Sequence, residues 1–167
     1  GASFAAAPES VPAANTEADE LDPSFCEDEL YFASNRLRDG RSDFALYFAR
    51  ETEAGPSVDV VAESSSTLDE RDPSVAARSG TLWFSRGGER GELWFAPRWR
   101  GERLPAEPAR GIPGELGARA PELSADGFTL YLTTRDADGA VNLARSKTLE
   151  LFRGPQPARG WADLVTM

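Results

Sequence analysis

One pattern occurs three times in this chain at a spacing near fifty residues, and that recurrence constrains the fold more than any other feature. The first copy runs Asp22-Pro23-Ser24-Phe25-Cys26, then Leu30-Tyr31-Phe32-Ala33-Ser34-Asn35-Arg36, then Phe44-Ala45-Leu46-Tyr47-Phe48-Ala49-Arg50. The second runs Asp72-Pro73-Ser74-Val75, Leu82-Trp83-Phe84-Ser85-Arg86, then Leu93-Trp94-Phe95-Ala96-Pro97-Arg98. The third runs Ala120-Pro121-Glu122-Leu123-Ser124, Leu130-Tyr131-Leu132-Thr133-Thr134-Arg135, then Val141-Asn142-Leu143-Ala144-Arg145. Pro23, Pro73 and Pro121 are 50 and 48 residues apart, and Arg36, Arg86 and Arg135 are 50 and 49 apart. Self-similarity at such a period signals a repeat architecture, and the short apolar runs bounded by turn residues read as strands.

Each unit offers a Pro-led strand, a turn, an apolar strand ending in Arg, a polar loop and a second apolar strand. A weaker fourth strand follows: Val58 to Val61 in unit one, a segment within Trp99 to Ile112 in unit two, and Phe152 to Val165 in unit three. A single sheet of this kind exposes two apolar faces, so neighbouring sheets must stack to bury them. The expected fold is all-β: a β-propeller-type array of about three four-stranded antiparallel blades, forming a partial or open ring. The divisions are an acidic N-terminal segment over 1–20, then blades over 21–69, 70–117 and 118–167.

These units resemble the WD40-like, TolB-type (PD40) repeat of bacterial periplasmic and surface propellers. Ser124-Ala125-Asp126-Gly127 followed by Leu130-Tyr131-Leu132 and Arg135 matches that repeat most fully. Unit one has Cys26 and Glu29 where Ser and Gly are usual, and unit two has Arg78-Ser79-Gly80 without the Asp. The resemblance spans roughly residues 21 to 150. It implies a periplasmic or secreted location, lipid-anchored or free, and a role in binding a protein or another envelope macromolecule.

Composition narrows the chemistry. The chain has no His and one Cys, which excludes Ser-His-Asp and Cys-His catalysis, thiolate zinc clusters and an internal disulfide. No dinucleotide fingerprint or P-loop occurs. A formal charge of -10 argues against a nucleic-acid partner, whose phosphates require a basic face. No apolar run reaches the ~20 residues of a membrane-spanning helix. The eight acids between Glu9 and Glu29, unrelieved by Lys or Arg up to residue 35, read as a solvated segment. No cofactor, metal or catalytic residue is expected, and the chain reads as a non-catalytic binding or scaffold protein. The alternative is a carboxylate-based glycosidase or lyase on a propeller scaffold, which would require two facing carboxylates in an acidic pocket.

Asp136-Ala137-Asp138-Gly139 resembles the start of a calcium loop but lacks its later ligands, and reads as a hairpin turn. Asp39-Gly40 and Gly87-Gly88 hold the equivalent place in the other units. The candidate binding residues are Arg36, Arg86 and Arg135, which end equivalent strands and would share one rim, together with Trp99 and Trp161 in poorly patterned segments. The structural alternative for the arginines is pairing with a local acid or with backbone carbonyls. Tyr31, Phe32, Trp83, Phe84 and Tyr131 sit mid-strand and are expected in the core, and Cys26 is expected as a buried thiol. Three blades are too few to close a ring. The chain is then part of a larger propeller, half of a dimeric ring, or an open stack. Its end faces would be exposed for self-association, or capped by the N-terminal segment and by Leu151 to Val165. Residues 3–12 are expected to form an outer strand left from a preceding blade.

Overall fold

The computed structural model describes residues 10–110, 112, 114–148 and 161–166; the side chains of Glu89, Trp99, Glu115, Lys147, Thr148 and residues 161–166 lie outside that description. The expected outer strand over 3–12 falls mostly outside the described residues. Three four-stranded antiparallel sheets follow one another along the chain. The first contains β1 (Glu20–Cys26), β2 (Glu29–Ser34), β3 (Ala45–Thr52) and β4 (Gly55–Val60) in that order. The second contains β5 (Glu70–Val75), β6 (Leu82–Arg86) and β7 (Glu92–Ala96). After a small hairpin of β8 (Arg98–Trp99) and β9 (Glu102–Arg103), the two-residue β10 (Glu107–Pro108) completes that sheet. The third is β11 (Arg119–Leu123), β12 (Thr129–Arg135), β13 (Val141–Thr148) and β14 (Trp161–Thr166). The architecture is thus all-β with three blades in an open array.

The recurring Pro marks a bulge. In each first strand the register slips between residues 21 and 24, 71 and 74, and 119 and 122. Asp22, Asp72 and Ala120 sit there with positive φ of 55°, 54° and 48°, each followed by Pro, which has no N–H to leave unpaired. Asp tolerates the left-handed region, whereas Ala has no polar side chain to compensate its Cβ clash. The hairpins between second and third strands also use the expected residues. Asp39 and Gly40 both have positive φ, as a type I′ turn demands, inside the bridge between Arg38 and Arg41. In unit three the Asp136 Oδ1 accepts the backbone N–H groups of Asp138 and Ala140, so this carboxylate closes its own turn.

Period-two alternation sends one face of each middle strand to each neighbour. Tyr31, Ala33 and Leu46 of the first sheet pack on Leu82, Phe84 and Ala96 of the second. Trp83, Leu93 and Phe95 of the second pack on Leu130, Leu132 and Ala144 of the third. The first sheet's outer face, with Phe32, Ala45 and Tyr47, is buried around Ala14. Of the two outcomes expected for this end face, exposure or capping by the N-terminal segment, the second is found, with Ala14 buried against it after the turn that starts at Val11. The expectation of an acidic solvated start also changes, because Glu20 belongs to β1 and its carboxylate is largely enclosed.

Candidate functional site

The three strand-ending arginines divide into two groups. The Arg86 guanidinium donates to the Glu70 Oε1 at 2.9 Å and to the Ser64 carbonyl, and stacks over Trp94 at 3.8 Å and Phe84 at 5.3 Å. Arg36 repeats this arrangement: it donates to the Glu20 Oε1 at 3.2 Å and to the Ala14 carbonyl at 2.6 Å, and lies over Tyr47 and Phe32. The sequence offsets are identical, since 36−20 and 86−70 both equal 16, and 36−14 and 86−64 both equal 22. These two guanidinium groups are interior clamps, each held by a carboxylate, a carbonyl and two rings.

The two carboxylates nevertheless differ. Burial pushes the Glu70 carboxyl above its ordinary value despite Arg86, and its Oε2 has no hydrogen-bond partner among the described residues. At Glu20 burial acts in the same direction but is outweighed, and the group is held below its ordinary value. The opposing groups are the hydroxyl and backbone N–H of Thr16, the Ser34 hydroxyl and Arg36.

Arg135 is not the third member of this set. Pairing register aligns Ala33, Ser85 and Thr133, which face Leu21, Arg71 and Arg119 respectively. Arg86 therefore corresponds to Thr134, and Arg135 lies one residue further on, on the opposite face of its sheet. Ala118 replaces the clamp's Glu, while Leu132 and Ala144 replace its rings. Arg135 instead donates to the Gly139 carbonyl at 2.8 Å, within its own turn. Trp99 and Trp161 fall on β8 and β14, and their side chains are outside the described residues.

The face that carries Arg135 is the open side of the array. Leu46, Leu93 and Leu143 are equivalent, being paired with Ala33, Ser85 and Thr133. Leu46 is 0% and Leu93 3% exposed, whereas Leu143 is 51% exposed. Likewise Tyr31 and Trp83 are 2% and 1% exposed and their counterpart Tyr131 is 36% exposed. Tyr131 was expected in the core; it is partly exposed because no sheet among the described residues covers it as the second and third sheets cover Tyr31 and Trp83. Val141, paired with Arg135, extends the same apolar stripe. The exposure of Tyr131 and Leu143 gave no sequence signal at residue level, since their buried counterparts Tyr31, Trp83, Leu46 and Leu93 are of the same types.

At one end of this face lies an open cleft of about 250 Å³ lined by Asp72, Arg119, Ala120, Thr133, Arg135 and Val141, among others. Neighbouring first strands touch, and an ion pair ties each junction on this side. Arg71 reaches back to the Asp22 Oδ2 at 3.5 Å, and Arg119 to the Asp72 Oδ2 at 3.0 Å. Ala120 breaks the series because it has no carboxylate to offer. Cys26, by contrast, is a buried thiol pushed up in pKa by burial, as its strand position suggested.

No known protein family matches the sequence, and no curated protein does. Among solved structures, the Pyrococcus horikoshii acylaminoacyl peptidase matches over 89% of this chain and 25% of its own, at 11% identity and a TM-score of 0.52. This chain therefore spans about a quarter of that structure's length. TolB from Acinetobacter baumannii aligns over 89% of this chain and 43% of its own at 10% identity, with a TM-score of 0.42, too low to bear on the fold. Among the described residues no helix is long and apolar enough to cross a membrane. At such identities the first likeness bears on architecture alone, and it agrees with what the sheets show: this chain is a propeller-like array of antiparallel blades.

Proposed function

We propose that the chain is a non-catalytic propeller-repeat module that binds the apolar strand surface of a partner protein across the open face of its third sheet. The observation that carries this reading is the exposure of Leu143 beside the burial of Leu46 and Leu93 at equivalent positions. Exposed contiguous apolar surface on a sheet is a docking site by default, because a sheet face is built to be covered. The bacterial envelope is the setting implied by the repeat resemblance.

A photo-reactive phenylalanine analogue at position 143, introduced in cells of the natural source, tests the reading. It should trap one protein, identified by mass spectrometry, whose binding is reconstituted from purified components. The trap should disappear with Tyr131→Glu. A reactive group at Leu37, exposed elsewhere on the surface, should trap nothing. Equal trapping at both positions, or no adduct at 143, would contradict the proposal.

A further inference from the structure

We infer that the cleft between Arg119 and Arg135 receives the side-chain carboxylate of an aspartate carried on the partner's strand. This deepens the binding reading above and rests on it. The geometry comes from the repeat itself. In unit two the Asp72 carboxylate sits at the bulge, bonded by the Ser85 hydroxyl and by Arg119 of the following sheet. In unit one the Asp22 carboxylate holds the same place, bonded by the backbone N–H of Asp72 and paired with Arg71. Every junction between sheets thus closes on one carboxylate at this position, met by an arginine from the other side.

Unit three keeps the surroundings and loses the carboxylate. The bulge and the left-handed backbone are retained at Ala120. Thr133 takes the place of Ser85, and its hydroxyl donates to the Arg119 carbonyl at 3.2 Å, as Ser85 reaches the Arg71 carbonyl. The cleft lined by Ala120, Thr133 and Arg135 is the space an aspartate would occupy there. Arg119 is engaged by Asp72 and neutralises it, so Arg135, paired to no carboxylate among the described residues, supplies the net positive charge. Tyr131, Leu143 and Val141 continue from the cleft as an apolar stripe along adjacent strands. A further repeat of the same type would bring an arginine here, as units two and three do with Arg71 and Arg119. It would then meet Arg135 with like charge. The surface selects an acidic occupant by that repulsion as well as by attraction.

The test uses the whole chain and two capped peptides, acetyl-Thr-Val-Asp-Val-Thr-amide and the same peptide with Asn for Asp, followed by NMR. With the Asp peptide, the Nε–H signals of Arg119 and Arg135 should shift saturably, and the Tyr131 ring and Leu143 methyl signals should move with the same midpoint. The Asn peptide should bind about tenfold more weakly, the loss expected for one charge-assisted hydrogen bond. Ala120→Asp restores the repeat's own carboxylate and should abolish the arginine response, while unchanged signals from Trp83 and Leu130 report an intact fold. Equal binding of both peptides through Tyr131 and Leu143 would overturn the carboxylate site and leave the docking face standing. Saturable arginine shifts without any movement of Tyr131 or Leu143 would keep the carboxylate site and refute the face. Absence of any shift, or undiminished shifts in Ala120→Asp, would overturn the inference.

Discussion

Arg86 and Arg135 close strands that look alike on paper, and their energetic roles are opposite. Arg86 is nearly buried against a fully buried Glu70. Its pairing is no proof of net stabilisation, because both charges are desolvated, but removing one partner strands the other. Arg86→Ala should therefore destabilise the chain by about 3 kcal/mol or more at neutral pH. Arg135→Ala should cost about 1 kcal/mol or less, since it breaks one bond within a surface turn. Denaturant melts of the two variants check this, and the reverse order would contradict the assignment of Arg86 as a clamp. Glu70 and Glu20 should also titrate in a fixed order. Glu70's folded-state value is raised, so its contribution to stability is fully present below the ordinary carboxylate range and is lost as pH rises through that raised value. Glu20's is lowered, so its contribution is present above the ordinary range and is lost as pH falls through the lowered value. Side-chain carboxyl NMR should give Glu70 the higher midpoint, and Glu70→Gln should flatten the destabilisation on the alkaline side. A lower midpoint for Glu70 would show that Arg86 outweighs burial.

At the scale of strands and sheets, the same side chain means different things according to what covers it. Trp83→Ala empties a site between two sheets and should cost roughly 3–5 kcal/mol. Tyr131→Ala, at the equivalent place on the open face, should cost about 1 kcal/mol, near the range of surface substitutions. Ala120→Gly should stabilise by about 1 kcal/mol, because glycine escapes the Cβ clash of the left-handed bulge. Equal losses for Trp83→Ala and Tyr131→Ala would mean that the third sheet is covered. The strands themselves were legible in sequence, because Leu30, Leu82 and Leu130 open apolar runs in register and the Pro residues fix where each unit starts. The site was not. Counted from the equivalent residues Ala33, Ser85 and Thr133, the arginines stand three, one and two positions on, and the even step turns Arg135 to the other face. Without the pairing register it reads as ordinary repeat drift. The Glu20 and Glu70 partners were equally hidden, since each lies across a hairpin from its arginine. Ala120 in place of Asp22 and Asp72 was visible in the aligned units, but its meaning depends on knowing that the other two carboxylates bridge sheets.

For the molecule as a whole, the two ends of the array differ. The first sheet's outer face is buried around Ala14, and the third sheet's is open. That asymmetry bears on assembly. Two copies cannot complete a ring by simple head-to-tail stacking while the first face stays covered. Self-association through the open face would instead join third sheet to third sheet, where Arg135 would face its own copy. Sedimentation should accordingly find a monomer across a wide concentration range. A salt-insensitive dimer would favour a second copy as the occupant of the open face. One blade face is exposed while the others are closed, and the three tyrosines report this directly. Tyr31 lies at the junction of the first two sheets, Tyr47 under the covered outer face, and Tyr131 on the open one. With all three replaced by fluorotyrosine, a soluble gadolinium chelate should broaden the fluorine signal of Tyr131 alone. Broadening of Tyr31 to the same degree, or a Tyr131 signal protected even in dilute solution, would contradict the open-faced array.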